Sequence, residues 1–245
     1  MSIFARSGLT RSVTALTGAA AITVGVFAAV PAASANDFDR NSAEVIAQIE
    51  AQAWPHYTLG DINIDVRAAH RILGQDGYDT DEETSEFTDG LEEQIEAYQT
   101  DNEQFLPVTG ELDEETWLLL RERVFGDEYV PGDGPDTERT LGVLAVQEIL
   151  QVKRDSDINN DGWYGEETFY AVCEAQNHYG LEEDGFVGRL TWRALVTDQD
   201  YDQDAAVALE DAEVPETAAD VDDYPTDLNQ EEMIQQYDCA NRPTD

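Results

Sequence analysis

Residues Asp155–Thr191 read DSDINNDGWYGEETFYAVCEAQNHYGLEEDGFVGRLT. Two Asp-Gly pairs, Asp161-Gly162 and Asp184-Gly185, are each followed three residues later by a second glycine, Gly165 and Gly188. Asp-Gly is a turn signal, and each pair leads into a run with helical spacing. Upstream, Val143-x-x-Val146-Gln147-x-x-Leu150 puts its apolar residues at i, i+3 and i+7, one face of a helix. The stretch therefore predicts helix, turn, helix, turn, helix.

The same plan recurs between Asp61 and Gly126. Val66, Ala69, His70 and Leu73 match Val143, Val146, Gln147 and Leu150 at an offset of 77 (143 − 66). Leu91, Ile95, Tyr98 and Gln99 match Thr168, Val172, Ala175 and Gln176 at the same offset, and Thr116-Trp117 matches Thr191-Trp192 at 75 (191 − 116). Three elements held in register make an internal repeat, so the fold class is all-α with two tandem three-helix units. Asp113 is placed to cap the third helix of the first unit, with Glu114 and Glu115 in its first turn. Each unit is of a size at which one core is only marginally sufficient.

Working outward, the chain divides into a leader (1–35), an N-terminal helix (36–60), the first repeat (61–127), a linker (128–135), the second repeat (136–197) and an acidic tail (198–245). The leader has Arg6 and Arg11, an apolar run from Ala19 to Val30 and a small-residue Ala33-Ser34-Ala35 site, the pattern of a cleaved secretory signal. It is short for a membrane span, and no later stretch is apolar enough to be one. Asn36–Arg40 is expected to be frayed. Ser42 caps a helix through Val45, Ile46, Ile49 and Ala53, stopped by Trp54-Pro55, and this helix is expected to pack on the first repeat. Pro131-Gly132 and Gly134-Pro135 give the linker its turn-rich character. Thr197 to Thr226 is acidic with few large apolar residues and is expected to be disordered, while Met233 to Tyr237 forms a short helix near Cys173.

Thirteen Lys and Arg stand against 54 Asp and Glu, a net charge of −41. Such a chain does not bind a nucleic-acid backbone unaided, and an anionic lipid surface repels it. Self-repulsion is relieved by salt, so the composition fits a salt-tolerant or halophilic source. Two cysteines, Cys173 and Cys239, in an exported chain predict one disulfide joining the tail to the second repeat.

The second repeat as a whole closely resembles the peptidoglycan-binding domain found beside many bacterial wall hydrolases. The resemblance rests on Val143-x-x-Val146-Gln147-x-x-Leu150, on Asp161-Gly162-Trp163-Tyr164-Gly165-x-x-Thr168-x-x-Ala171-Val172-x-x-Ala175-Gln176, and on Gly180-Leu181-x-x-Asp184-Gly185-x-Val187-Gly188-x-x-Thr191-Trp192-x-x-Leu195. Ala175 stands where the family has an aromatic. The first repeat departs further: His70 replaces the first Gln, Thr88 and Asp113 the second glycines, and Leu91 the Thr. The resemblance implies a bundle of three helices and a wall glycopeptide as ligand, with the ligand site kept in the second copy.

Much of that signature is structural. The glycines are expected to supply φ > 0 at the helix starts, Leu150, Val172 and Trp192 the core, and Gln147 and Gln176 bonds to the loops. For the ligand surface that remains, the candidates are Trp163, Tyr164, Tyr170, Asp184 and Arg189. Trp163 is either a platform for a sugar face or an aromatic packed on a neighbouring helix. Tyr164, at a position usually apolar in the family, reads as core.

Asp157-Ile158-Asn159-Asn160-Asp161-Gly162 also fits the opening of an EF-hand-type calcium loop, with Asp157, Asn159 and Asp161 at ligand positions one, three and five. Thr168 stands where the closing Glu belongs, and Glu167 comes one residue early. The alternative is a polar loop whose side chains bond their own backbone. No other cofactor is indicated. His56, His70 and His178 fall in separate elements with no HExxH, Cys173 has no His partner in sequence, and no Gly-x-Ser-x-Gly occurs. The repeats fill nearly all the foldable chain, so the expected function is a secreted, non-catalytic protein bound to peptidoglycan outside the cell. The alternatives are a wall hydrolase or its accessory subunit, and a module of the same fold that binds a secreted protein.

Overall fold

The computed structural model describes residues 36–78, 84–134, 137–201 and 230–242. The leader and residues 202–229 of the tail lie outside the described residues, and with them the expected signal and most of the segment expected to be disordered; its first residues are instead structured, with Thr197 ending a helix and Gln199 and Tyr201 hydrogen-bonded to Asp65 and Asn63. The described chain is helical: α1 (Asp37–Arg40), α2 (Ala43–Glu50), α3 (Ile64–Gln75), α4 (Asp89–Asp101), α5 (Glu114–Val124), α6 (Thr140–Arg154), α7 (Glu166–Tyr179), α8 (Arg189–Thr197) and α9 (Gln230–Gln236). A 3-10 turn follows at Cys239–Asn241. Among the described residues no helix is long and apolar enough to cross a membrane.

Helices α3, α4 and α5 form the first repeat, and α6, α7 and α8 the second. The apolar stripes predict the core: Val66, Ala69 and Leu73 are buried, as are Val143, Val146 and Leu150, with Trp117 and Trp192 at equivalent places. Each repeat begins further upstream than the helical spacing indicates. Trp54 stacks on Trp117 at 6.0 Å, and Phe125 stacks on Trp192 at 4.2 Å. Tyr57 exchanges backbone hydrogen bonds with Leu112, and Tyr129 does the same with Val187. The stretch expected to be a linker is therefore a wall of the second repeat. Its turn-rich composition reflects a backbone that bends while it pairs, with Gly132 N donating to Tyr164 O and Tyr164 N to Asp133 O.

The two repeats join along α3 and α6, and the joint contains buried charge. Glu148, fully buried on α6, accepts from Arg67 Nε and Arg71 Nη2, each at 2.9 Å. Lys153 Nζ lies 2.6 Å from Asp65 Oδ1 and donates to the carbonyls of Leu195 and Val196 at the end of α8. Asp65 Oδ2 accepts in turn from Tyr57 and Gln199. Burial lowers the Lys153 pKa, opposed by Asp65. Buried ions are tolerated only when paired and hydrogen-bonded, and these pairs link α3 to α6.

The N-terminal segment departs from expectation twice. Asn36–Arg40 is ordered rather than frayed: Asn36 caps α1, and Asp37 is 1% exposed. Helix α2, capped by Ser42, stops at Glu50 and packs its apolar face on the second repeat rather than the first, while Glu50 pairs with Arg121 of α5 at 2.7 Å. Its Ile49 meets Leu181, Leu190 and Ala194, with Val45 and Ile46 alongside. Arg193 on α8 donates to the carbonyls of Ile49, Glu50 and Gln52, groups that a helix end leaves without intrahelical partners. At the other end of the chain, Cys173 on α7 and Cys239 form the expected disulfide. Met233 of α9 is buried, and Tyr237 lies 5.4 Å from Phe169.

Candidate functional site: turns held by buried glutamines

Three buried glutamines hold three loops in one manner. Gln147 on α6 donates to Asp161 Oδ1, Trp163 O and Thr168 Oγ1, and accepts from Gly162 N. Gln176 on α7 donates to Asp184 Oδ1, Phe186 O and Thr191 Oγ1, and accepts from Asp184 N and Gly185 N. Gln99 on α4 does the same for Thr109, Gly110, Glu111 and Thr116. An Asn or Gln side chain pairs acceptor and donors on one planar group. One buried glutamine thus satisfies both the loop amides and the loop carbonyl, which would otherwise be costly to bury.

This arrangement corrects the expected role of the glycines. Gly162 and Gly185, inside the glutamine-held turns, have φ of 73° and 68°, where a side chain is strained. Gly165 and Gly188, at the helix starts, are extended instead. Thr88 and Asp113, their counterparts in the first repeat, cap α4 and α5 with their own side chains. Gly188 cannot, and a distant residue takes over. Asp37 Oδ2 accepts from Leu190 N at 2.6 Å and from Thr191 N at 2.9 Å. A Cβ on Gly188 would lie 2.6 Å from the Asp37 carboxylate carbon. Burial raises the Asp37 pKa against the opposing effect of those two amides.

His70 occupies the place of Gln147 in the first repeat. It hydrogen-bonds the backbone of Glu86, the counterpart of Trp163, and burial pushes its pKa down to about 4. The neutral imidazole thus replaces the amide as the holder of that loop.

The five ligand candidates fall in three places. Trp163 sits on the Gln147 turn, half-buried, its ring laid against Gly134, where a Cβ would come within 2.9 Å of it. Tyr164 is fully buried, donates to Gly185 O at 2.8 Å and offers no surface to a ligand; burial raises its pKa. Its hydroxyl links the two turns of the second repeat. Tyr170 lies on α7, 5.4 Å from Phe169 and 6.5 Å from Tyr237 of the C-terminal segment. Asp184 and Arg189 lie at the Gln176 turn under the N-terminal segment: Arg40 pairs with Asp184, and Arg189 pairs with Glu122 at 2.6 Å and sits over the Phe38 ring. Of the five, Trp163 is the half-buried aromatic on the Gln147 turn.

Sequence reasoning missed Asp37, Arg40 and Glu128, which gather at the Gln176 turn. Arg40 also pairs with Glu128, whose carboxyl burial pushes up to about 7. The local signal was the absence of a capping side chain at Gly188, but nothing in the sequence says which residue supplies one.

The loop that fits the opening of an EF-hand is held by hydrogen bonds of its own. Asp161 Oδ1 accepts from Gln147 and from Trp163 N, Asn159 Nδ2 donates to Glu167, and Thr168 Oγ1 faces Gln147. Among the described residues no three His, Cys, Asp or Glu side chains are placed to share an ion. These bonds within the turn are those of the alternative reading, a polar loop whose side chains bond nearby groups.

Comparison with known families agrees with this geometry. The family model described as "Putative peptidoglycan binding domain" matches residues 63–120 and 139–195. Comparisons with curated proteins and with solved structures gave no match. Both matched spans coincide with the glutamine-held bundles, the first with His70 as its variant holder. Residues 63–120 and 139–195 therefore match, as two tandem copies, the peptidoglycan-binding domain family.

Proposed function

We propose that the protein is a secreted, non-catalytic protein that binds peptidoglycan through its second repeat. The observation that carries this reading is the tandem family match, joined to an intact Gln147 turn that presents Trp163. A half-exposed indole on a rigid turn suits stacking on a sugar face. The first repeat has Glu86 at that position and serves mainly to support the second through the α3–α6 joint. Peptidoglycan pull-down across a salt series tests the reading: retention is expected, most strongly where salt screens the chain's charge. Absence of retention at every salt concentration sinks it. Zymography on cell walls separates it from a hydrolase, since a lysis band would contradict a non-catalytic role.

The net charge of −41 favours a second reading, a module that binds a secreted protein. Anionic wall polymers repel such a chain at low salt, whereas a basic partner would be attracted. Capture of a wall-free partner without glycan retention would support it. Neither reading needs a cofactor, and calorimetry with calcium is expected to be flat.

A further inference from the structure

Where the repeats meet, the ends of α3 and α5 and the chain leading into α6 enclose an open cleft of about 260 Å³. Arg123 and Arg139 line it together with Asp76 and Asp127. With 13 cationic side chains against 54 anionic ones, a small cleft with two guanidinium groups facing two carboxylates is locally balanced where the chain as a whole is strongly acidic.

The walls are fixed from both repeats. Arg139 lies 3.6 Å from the centroid of the Tyr129 ring and donates to Asp127 O, Glu128 O and Asp133 Oδ2. Gln75, at the end of α3, donates to Glu138 O at 2.8 Å and accepts from Gly142 N. Glu138, next to Arg139, has φ 58°, a left-handed value uncommon for this residue type. Arg123 donates to Asn102 Oδ1 and stands 3.7 Å from Asp76 Oδ2, beyond hydrogen-bond range. Asp76 Oδ2 is buried and has no hydrogen-bond donor. An arginine has five N–H donors, and those of Arg123 and Arg139 are only partly engaged. A buried acceptor lacking a donor thus stands beside donors lacking acceptors, a pairing that buried polar groups rarely leave unsatisfied.

The charges select the ligand. A simple anion must approach a chain of net charge −41, and a simple cation meets two guanidinium groups. A molecule carrying both charges has no net charge for the long-range field to act on. It can also place a carboxylate on the arginines and an ammonium on the aspartates. The cleft is smaller than the roughly 300–1,000 Å³ of drug-sized sites, so the ligand is small.

We propose that this inter-repeat cleft binds a small zwitterion of the amino-acid type, its carboxylate on Arg123 and Arg139 and its ammonium on Asp76 and Asp127. The same chemistry comes from a free amino acid or from a short peptide. The cleft is separate from Trp163, and its occupancy does not depend on wall binding.

Backbone amide shifts of the full chain, followed by NMR, test this with alanine, dialanine, propionate and ethylammonium as probes. Saturable shifts at Gln75, Arg123, Asp127 and Arg139 are expected with alanine or dialanine, and none with propionate or ethylammonium at equal concentration. Tighter binding of alanine identifies a free amino acid as the source, and tighter binding of dialanine a peptide. Arg123→Gln and Asp127→Asn are each expected to weaken binding about tenfold or more. Asp127 is exposed, so its variant keeps the fold even if Arg123→Gln does not. Shifts equal with propionate, absence of shifts with both zwitterions, or unchanged affinity in Asp127→Asn would overturn the proposal.

Discussion

His70 shows how one residue can preserve a turn while changing its response to acid. Its pKa is pushed down to about 4 from 6.5, first by burial and then by Arg71 and Arg67, while the Glu86 backbone opposes the shift. Above pH 6.5 both folded and unfolded chains hold it neutral. Between pH 6.5 and 4 only the unfolded chain takes the proton, so folding loses stability as pH falls through that window. The loss from this group between pH 7 and pH 5 is about 2 kcal/mol. His70→Gln, which installs the residue found at position 147, should remove it. Glu128, raised to about 7 by burial, acts with the opposite sign over an overlapping range, but it is common to both proteins and cancels in the comparison. Urea unfolding of the two proteins at pH 7 and pH 5 measures the difference; equal losses would show that His70 is not buried neutral.

Among the elements, the joint between α3 and α6 depends on Glu148 more than on any exposed pair. Glu148→Ala strands Arg67 and Arg71 without their buried carboxylate, and removing one partner of a buried ion pair costs about 3–5 kcal/mol. Denaturant unfolding should show that loss, and a change below about 1 kcal/mol, the level of an exposed pair, would mean the site is solvated. The helices themselves were legible in the sequence, because period and caps are local: Val66, Ala69 and Leu73 sit on one stripe, and Asp113 stands where its side chain caps α5. The charged joint was not legible. Arg67, Arg71, Asp65 and Lys153 look like solvated helix positions until α3 and α6 face each other. The packing of α2 on α8 was hidden for the same reason, since the stripe of Val45, Ile46 and Ile49 fits either repeat by pattern alone. At the candidate site, Trp163 was visible as an aromatic on an Asp-Gly turn. Asp37 was invisible, because a cap supplied from 153 residues away leaves no spacing to read.

For the whole molecule, the charge of −41 opposes the packing of the described helices against one another. Screening shortens the reach of that repulsion from about 10 Å at 0.1 M salt to about 3 Å at 1 M. The melting temperature should therefore rise with sodium chloride over that range, followed by circular dichroism; a fall would mean that the ion pairs outweigh the self-repulsion. The same screening governs access to an anionic wall, so binding and stability should improve together. The central claim is that the second repeat binds peptidoglycan through the Trp163 surface. Its most direct test is retention of the wild-type chain and of Trp163→Ala on purified peptidoglycan at high salt, with equal melting temperatures as the control for folding. The account predicts that the wild-type chain is retained and that the variant binds about twofold to tenfold more weakly. Equal retention of the two, or none of either, would contradict it.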